Sequence, residues 1–269
     1  MSREPPISVD YLKAGSSGPL VVLVHSSVSG ARQWRRLMEN LEGDFRVRAV
    51  NLFGYGETPA WEADRPQTLD DQARLVEAAI PDDEDSIALV GHSFGGAVAM
   101  KVAARMGSRV TKLVLFETNP FDLLIQSGRV EAYAEIAGLR DRVKKFGALG
   151  DWMTPAAAFG DYWGGEGTWH QMSQERREAF AAGLPNLFHE WDAVMGETTT
   201  LEEWSRVLPR NTLAIMDRNT VLPIREINAL LTQACPNWTF AEVDAGGHMA
   251  PLKRPDVVNP VVQSFLLAP

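Results

Sequence analysis

Residues 86 to 100 read "SIALVGHSFGGAVAM". A short apolar run passes directly into Gly91-His92-Ser93-Phe94-Gly95 and leaves through small residues at helical spacing. A run of this length, bounded by glycines, is expected to be a buried strand that turns sharply into a helix. Small side chains after the turn allow that helix to lie close against its neighbours. Such a junction belongs in a layered architecture, because a parallel strand reaches its next neighbour only through a crossover, usually helical.

The same pattern recurs along the chain. "PLVVLVH" (19–25), "FRVRAV" (45–50), "SIALVG" (86–91) and "VTKLVLFE" (110–117) read as mostly buried strands. Between them "ARQWRRLMENL", "TLDDQARLVEAAI" and "FGGAVAMKVAARM" read as helices, with Thr68 placed to cap the second and acidic residues in its first turn. The alternation resumes with "TLAIMD" (212–217), a helix around "PIREINALLTQA", "TFAEV" (239–243) and a final helix through "VVNPVVQSFLL" that Pro260 is expected to interrupt or kink. The expected fold class is therefore α/β, with a doubly wound, mostly parallel sheet.

Between Phe121 and Leu208 the alternation stops and no credible buried strand is found. "GRVEAYAEIAGLRDRVKKF", "SQERREAFAAGL" and "NLFHEWDAVMG" look helical, and five of the eight tryptophans fall in this stretch: Trp152, Trp163, Trp169, Trp191 and Trp204. The simplest organisation is a core of 1–120 and 209–269 with a helical insertion, 121–208, between two core strands. The insertion either covers a site or is a subdomain whose tryptophans fill its own core.

Composition narrows the partners. A net charge of −9 argues against a nucleic-acid or anionic-membrane ligand, since both need a basic face. No stretch of about 18 consecutive apolar residues occurs, and the N-terminus lacks an apolar segment of signal-peptide length, so a cytoplasmic protein is expected. Cys235 is the only cysteine, which leaves no disulfide framework and no cysteine metal cluster.

A serine at such a strand-to-helix corner is exposed at the top of the sheet and faces a helix N-terminus, but its hydroxyl needs a base and an orienting group to act as a nucleophile. Ser93 is that candidate. Of the five histidines, only His248 lies on a loop after the last strand, in "VDAGGHMAPLKRPDVV". His25 ends a strand, His92 lies within the turn, and His170 and His189 belong to the insertion.

With "VLVHSSVSGARQW", "VNLFGYGETP", "LVGHSFGGA" and "AGGHMAPLKRP" in place, the chain resembles the α/β-hydrolase fold family over essentially its whole length, and the insertion matches that family's cap position. The resemblance implies a catalytic serine, Ser93, with His248 as base, and oxyanion donors at the backbone N–H groups of Ser27 and Phe94. Two departures stand out. Most relatives have His-Gly after the first core strand; here the residues are His25-Ser26. Most relatives also carry the triad acid after the strand that follows the cap, but Asn219 and Thr220 occupy the corresponding positions. Some relatives, haloalkane dehalogenases among them, hold the acid at the end of the strand before the cap, which implies Glu117; Asp217 stays as the alternative. The resemblance implies acyl transfer to water, a small apolar ester-like substrate, and neither metal nor organic cofactor. Cleavage of a lactone or a carbon–carbon bond on the same scaffold, a binding protein without catalysis, and homodimerisation are left open.

Overall fold

The computed structural model describes residues 8–269. Seven strands form one sheet: β1 (Tyr11–Ala14), β2 (Leu20–Val24), β3 (Arg46–Val50), β4 (Ile87–His92), β5 (Val110–Phe116), β6 (Thr212–Asp217) and β7 (Thr239–Val243), in the order β1-β3-β2-β4-β5-β6-β7. β1 pairs antiparallel with β3 and every other pairing is parallel. The six strands expected from sequence are all present; β1 is the addition.

Because successive strand residues point to opposite faces, the apolar strands feed two separate cores. Leu20, Val22, Val24, Leu89, Leu113 and Leu115 face one side, under α2 (Leu69–Ala78), α3 (Phe94–Met106) and α11 (Leu222–Ala234). Val21, Leu23, Val47, Ala49, Val90 and Val114 face the other, under α1 (Arg35–Leu41) and α13 (Pro255–Leu267). Thr68 caps α2 through a reciprocal capping box with Asp71. Pro260 does not interrupt α13, which runs continuously to Leu267. Proline costs the helix one N–H donor there, and burial of Val258, Val262 and Leu266 under the sheet compensates.

The chain leaves β5 into seven helices before returning at β6: α4 (Asp122–Gln126), α5 (Val130–Gly147), α6 (Met153–Gly164), α7 (Thr168–Gln171), α8 (Gln174–Ala182), α9 (Leu184–Met195) and α10 (Leu201–Val207). Lys101 of α3 ties this segment to the sheet through Glu197 at 2.9 Å, and Arg129 pairs with Glu226 of α11 at 3.2 Å. Short α12 (Ala250–Lys253) follows β7. The strand order reverses between β2 and β4, which opens a crevice at their carboxyl ends, where ligands settle in open α/β sheets. Among the described residues, no helix is long and apolar enough to cross a membrane.

Candidate active site

Ser93 occupies the corner between β4 and α3 with φ 54° and ψ −121°, a backbone conformation that side-chain-bearing residues rarely adopt. The corner can be this tight because its glycines have no side chains. A Cβ on Gly91 would overlap Gly95 and Gly96, one on Gly95 would overlap the carbonyls of Val24 and His25, and one on Gly96 would press on Thr118. The Ser93 N–H donates to the Phe116 carbonyl at 2.9 Å, anchoring the corner to the end of β5.

Around this serine the fold gathers three chain-distant polar groups. The Ser93 hydroxyl lies 2.9 Å from His248 Nε2, and His248 Nδ1 lies 2.6 Å from Glu117 Oε2. With a carboxylate at Nδ1, that nitrogen carries the proton and Nε2 is left to accept from the serine. Glu117, the residue after β5, is itself held in the left-handed region at φ 46°. Its Oε1 accepts from the Asp217 N–H at 2.7 Å, and its Oε2 accepts a second hydrogen bond from the Thr220 hydroxyl at 2.7 Å. Asp217 is fully buried and turned to other work: its carboxylate accepts from the N–H groups of Asn219 and Ala245, at 2.8 and 2.7 Å. It thereby ties the loop after β6 to the loop that carries His248. No hydrogen bond joins Asp217 to a histidine among the described residues.

The loop after β2 lies across the crevice. Val28 has φ 60°, unusual for a β-branched residue, and its N–H donates to the Tyr55 hydroxyl at 2.8 Å. Tyr55 in turn donates to Glu190 Oε1 of α9 at 2.7 Å. Burial pushes the Glu190 carboxyl up to about 7, against the opposing pull of the Ser27 and Tyr55 hydroxyls. The N–H groups of Ser27 and Phe94 have no acceptor among the described residues, and Phe94, as the first residue of α3, has none to reach within its helix. His25 is wholly buried and neutral, held down to about 4 by burial; its Nε2 accepts from the Leu52 N–H and its Nδ1 donates to the Ser26 carbonyl.

A sequence model of the Alpha/beta hydrolase family matches residues 21–261. The chain belongs to that family. Among curated relatives of this alpha/beta hydrolase, Lipase LipV of Mycobacterium tuberculosis is 27% identical across 97% of this chain and 98% of its own length. A haloalkane dehalogenase of Agrobacterium fabrum is 31% identical over 41% of this chain and 36% of its own. The crystal structure of the enol-lactonase from Burkholderia xenovorans LB400 superposes with a TM-score of 0.70 at 19% identity, covering 97% of this chain and 96% of that one.

The site of this alpha/beta hydrolase opens into a cavity of about 660 Å³ between the carboxyl edge of the sheet and helices α6 to α9. Ser93, His248, Ser27 and Phe94 line it together with Phe159, Trp163, Leu187, Trp191 and Val194 from the helical segment. The indole of Trp163 lies over the His248 imidazole, ring centroids 4.1 Å apart. Trp204 and Trp169 lie elsewhere, the first buried with Lys101 5.5 Å above its ring, the second against Phe180. The tryptophans thus divide between cavity wall and helical core.

Several contributors were not evident in the sequence. His92, set aside there as a turn residue, places its Nε2 2.9 Å from the His248 carbonyl and so fixes the loop that presents the imidazole. Burial and the neighbouring His248 hold His92 well below the usual histidine range, so Nε2–H donates from a neutral ring. Glu190 and Asn119 carry no local motif, and nothing in the motif around Tyr55 or the loop at Thr220 signals the contacts these two make. Only the fold brings them to the site.

Proposed function

We propose that this alpha/beta hydrolase is a serine hydrolase of carboxylic esters or similar small acyl substrates, acting through an acyl-enzyme. The observation that carries this reading is the continuous hydrogen-bond path Ser93 Oγ, His248 Nε2, His248 Nδ1, Glu117 Oε2, at 2.9 and 2.6 Å. His248 accepts the Ser93 proton as Oγ bonds to the substrate carbonyl carbon, and Glu117 holds the tautomer and balances the imidazolium. The free N–H groups of Ser27 and Phe94 donate to the developing oxyanion. His248 then gives the proton to the leaving alkoxide, and water, deprotonated by His248, attacks the acyl-enzyme to release the acid and restore Ser93. A serine at position 93, rather than an aspartate, favours acyl chemistry over alkyl-halide displacement.

Residues 121–208 are assigned as a cap that shapes the substrate cavity, an assignment supported by Trp163 against His248 and by the apolar wall from α6 and α9. Cavities of this size take small organic ligands, and the apolar wall suits the hydrophobic part of an ester. A single cysteine, Cys235, with no second cysteine to form a disulfide, supports a cytoplasmic setting. The test is Ser93→Ala assayed on a panel of p-nitrophenyl esters. The expected loss in kcat is ~10³-fold or more, and a variant that keeps over about a tenth of the wild-type kcat overturns the reading.

A further inference from the structure

We infer that Glu190 is a positioning residue for the oxyanion hole: through the Tyr55 hydroxyl it holds the loop after β2, so that helix α9 fixes the direction of the Ser27 N–H. This rests on the reading of Ser93 as nucleophile and of the Ser27 N–H as an oxyanion donor. Glu190 is 2% exposed and lies on the buried face of α9 among Leu184, Leu187, Trp191 and Val194. A carboxyl group in such surroundings is costly unless a polar partner meets it. Tyr55 is that partner, and its hydroxyl donates to Glu190 Oε1 at 2.7 Å.

A phenol has one proton and two lone pairs to place. Burial, and then the neighbouring Glu190, hold the Tyr55 phenol well above its usual range, so its proton stays on and is directed to Glu190. The lone pairs are left for the Val28 N–H, which donates to them at 2.8 Å. With no acceptor at position 190, nothing would direct the hydroxyl proton away from that N–H.

Ser27 lies between two peptide planes, and each is tied. In the first, His25 Nδ1 donates to the Ser26 carbonyl at 2.8 Å. The C=O and N–H of a trans peptide point in opposite directions, so the Ser27 N–H of that plane is turned away from His25. In the second plane, the Val28 N–H is held by Tyr55. Val28 has φ 60°, which a β-branched residue keeps only where its surroundings enforce it. Released from Tyr55, Val28 is expected to relax toward negative φ and to turn the plane beside Ser27 with it. Loop and helix also meet directly, since a Cβ on Gly183, the residue before α9, would lie 2.9 Å from Val28 Cγ1.

The test sets kcat and KM for p-nitrophenyl butyrate beside the Ki of a trifluoromethyl ketone, whose hemiketal with Ser93 places an oxyanion in the hole. Tyr55→Phe and Glu190→Leu are expected to lower kcat by ~10-fold or more at nearly unchanged KM, and to raise that Ki by the same factor. Glu190→Gln keeps an acceptor for Tyr55 and should recover most of the loss. In the double variant of Tyr55→Phe with Glu190→Leu the losses should fall well short of multiplying, because both break one connection. Asn186→Ala breaks the other α9 hydrogen bond to the Tyr55 loop, from Asn186 Nδ2 to the Gly54 carbonyl at 2.8 Å, and should lower Tm without that loss of kcat. Wild-type kcat in Tyr55→Phe or in folded Glu190→Leu, no recovery in Glu190→Gln, losses that multiply, or an equal loss in Asn186→Ala overturns the inference. Ser93→Ala separates this from failure of the underlying reading: turnover of the ester in that variant overturns the nucleophile assignment, whereas an inactive Ser93→Ala beside a fully active Glu190→Leu overturns the positioning role alone.

Discussion

At the residue scale, two carboxylates are candidates for one role, and their partners differ. Glu117 reaches the imidazole at 2.6 Å, whereas both oxygens of Asp217 are occupied by backbone N–H groups of two loops. Glu117→Gln should lower kcat by ~10³-fold or more, since an amide cannot balance the imidazolium and can hold the wrong tautomer. Asp217→Asn should show chiefly as a lowered Tm with a smaller loss of rate, because one of its two loop contacts is lost. Parallel kinetics and thermal melts of the two variants check this, and a larger kcat loss in Asp217→Asn would reverse the assignment. Glu190 offers a second residue-level prediction. Its carboxyl binds its proton more tightly when folded, near 7 against an ordinary 4.5, so its contribution to stability is complete below about 4.5 and is lost as pH rises through 7. The loss amounts to at most ~3 kcal/mol. Buried His25 and His92 act in the opposite sense over the acid range, so the variant must be compared with the wild type at each pH. Glu190→Gln should gain on the wild type in unfolding free energy between about pH 4.5 and pH 8; urea titrations showing a constant difference would contradict this.

At the scale of elements, the strand-to-helix corner and the helix beneath the cavity carry the sharpest consequences. Gly95→Ala drives a methyl into the carbonyls at the end of β2 and should destabilise by ~3 kcal/mol or more, read as loss of soluble yield and a lowered Tm. A normally stable Gly95→Ala protein would mean that the corner is looser than described. Trp163→Ala removes the ring that lies over His248 and should lower kcat/KM by ~10- to 100-fold, with Trp163→Phe recovering most of it. Equal activity in all three proteins would remove α6 from the site. The core elements were legible in the sequence because each strand is a continuous apolar run and each flanking helix an amphipathic one. α6 was not, since "MTPAAAFGDYWG" is apolar around most of its circumference and shows no stripe. α10 could have been found from its capping box, Thr200 with Glu203, but spans only seven residues. β1 is a four-residue edge strand with mixed polarity, whose pairing with β3 is decided by tertiary contact.

At the scale of the whole molecule, the sheet brings together residues that lie far apart in the chain. Glu117 and His248 are 131 positions apart, and Ser93 and His248 are 155 apart. Ser93 and His248 could be singled out in sequence because each lies in a distinctive local setting, a glycine corner and a late loop. Glu117 stands ahead of Asp217 there only through the missing carboxylates at positions 219 and 220 and the resemblance to relatives with the acid before the cap; both residues end buried strands, and their different side-chain partners appear only in the fold. The cavity between sheet and helices, about 660 Å³, predicts that kcat/KM along a p-nitrophenyl ester series rises from acetate to medium acyl chains and falls at palmitate. A continuous rise to palmitate would contradict a bounded pocket.

The central claim is that Ser93 is an activated nucleophile, and reaction with a fluorophosphonate tests it most directly. Peptide mass mapping after labelling is predicted to find one adduct per chain, on Ser93, absent in Ser93→Ala and formed much more slowly in Glu117→Gln. An adduct on another residue, or an unlabelled Ser93 in a protein that hydrolyses esters, would contradict the account.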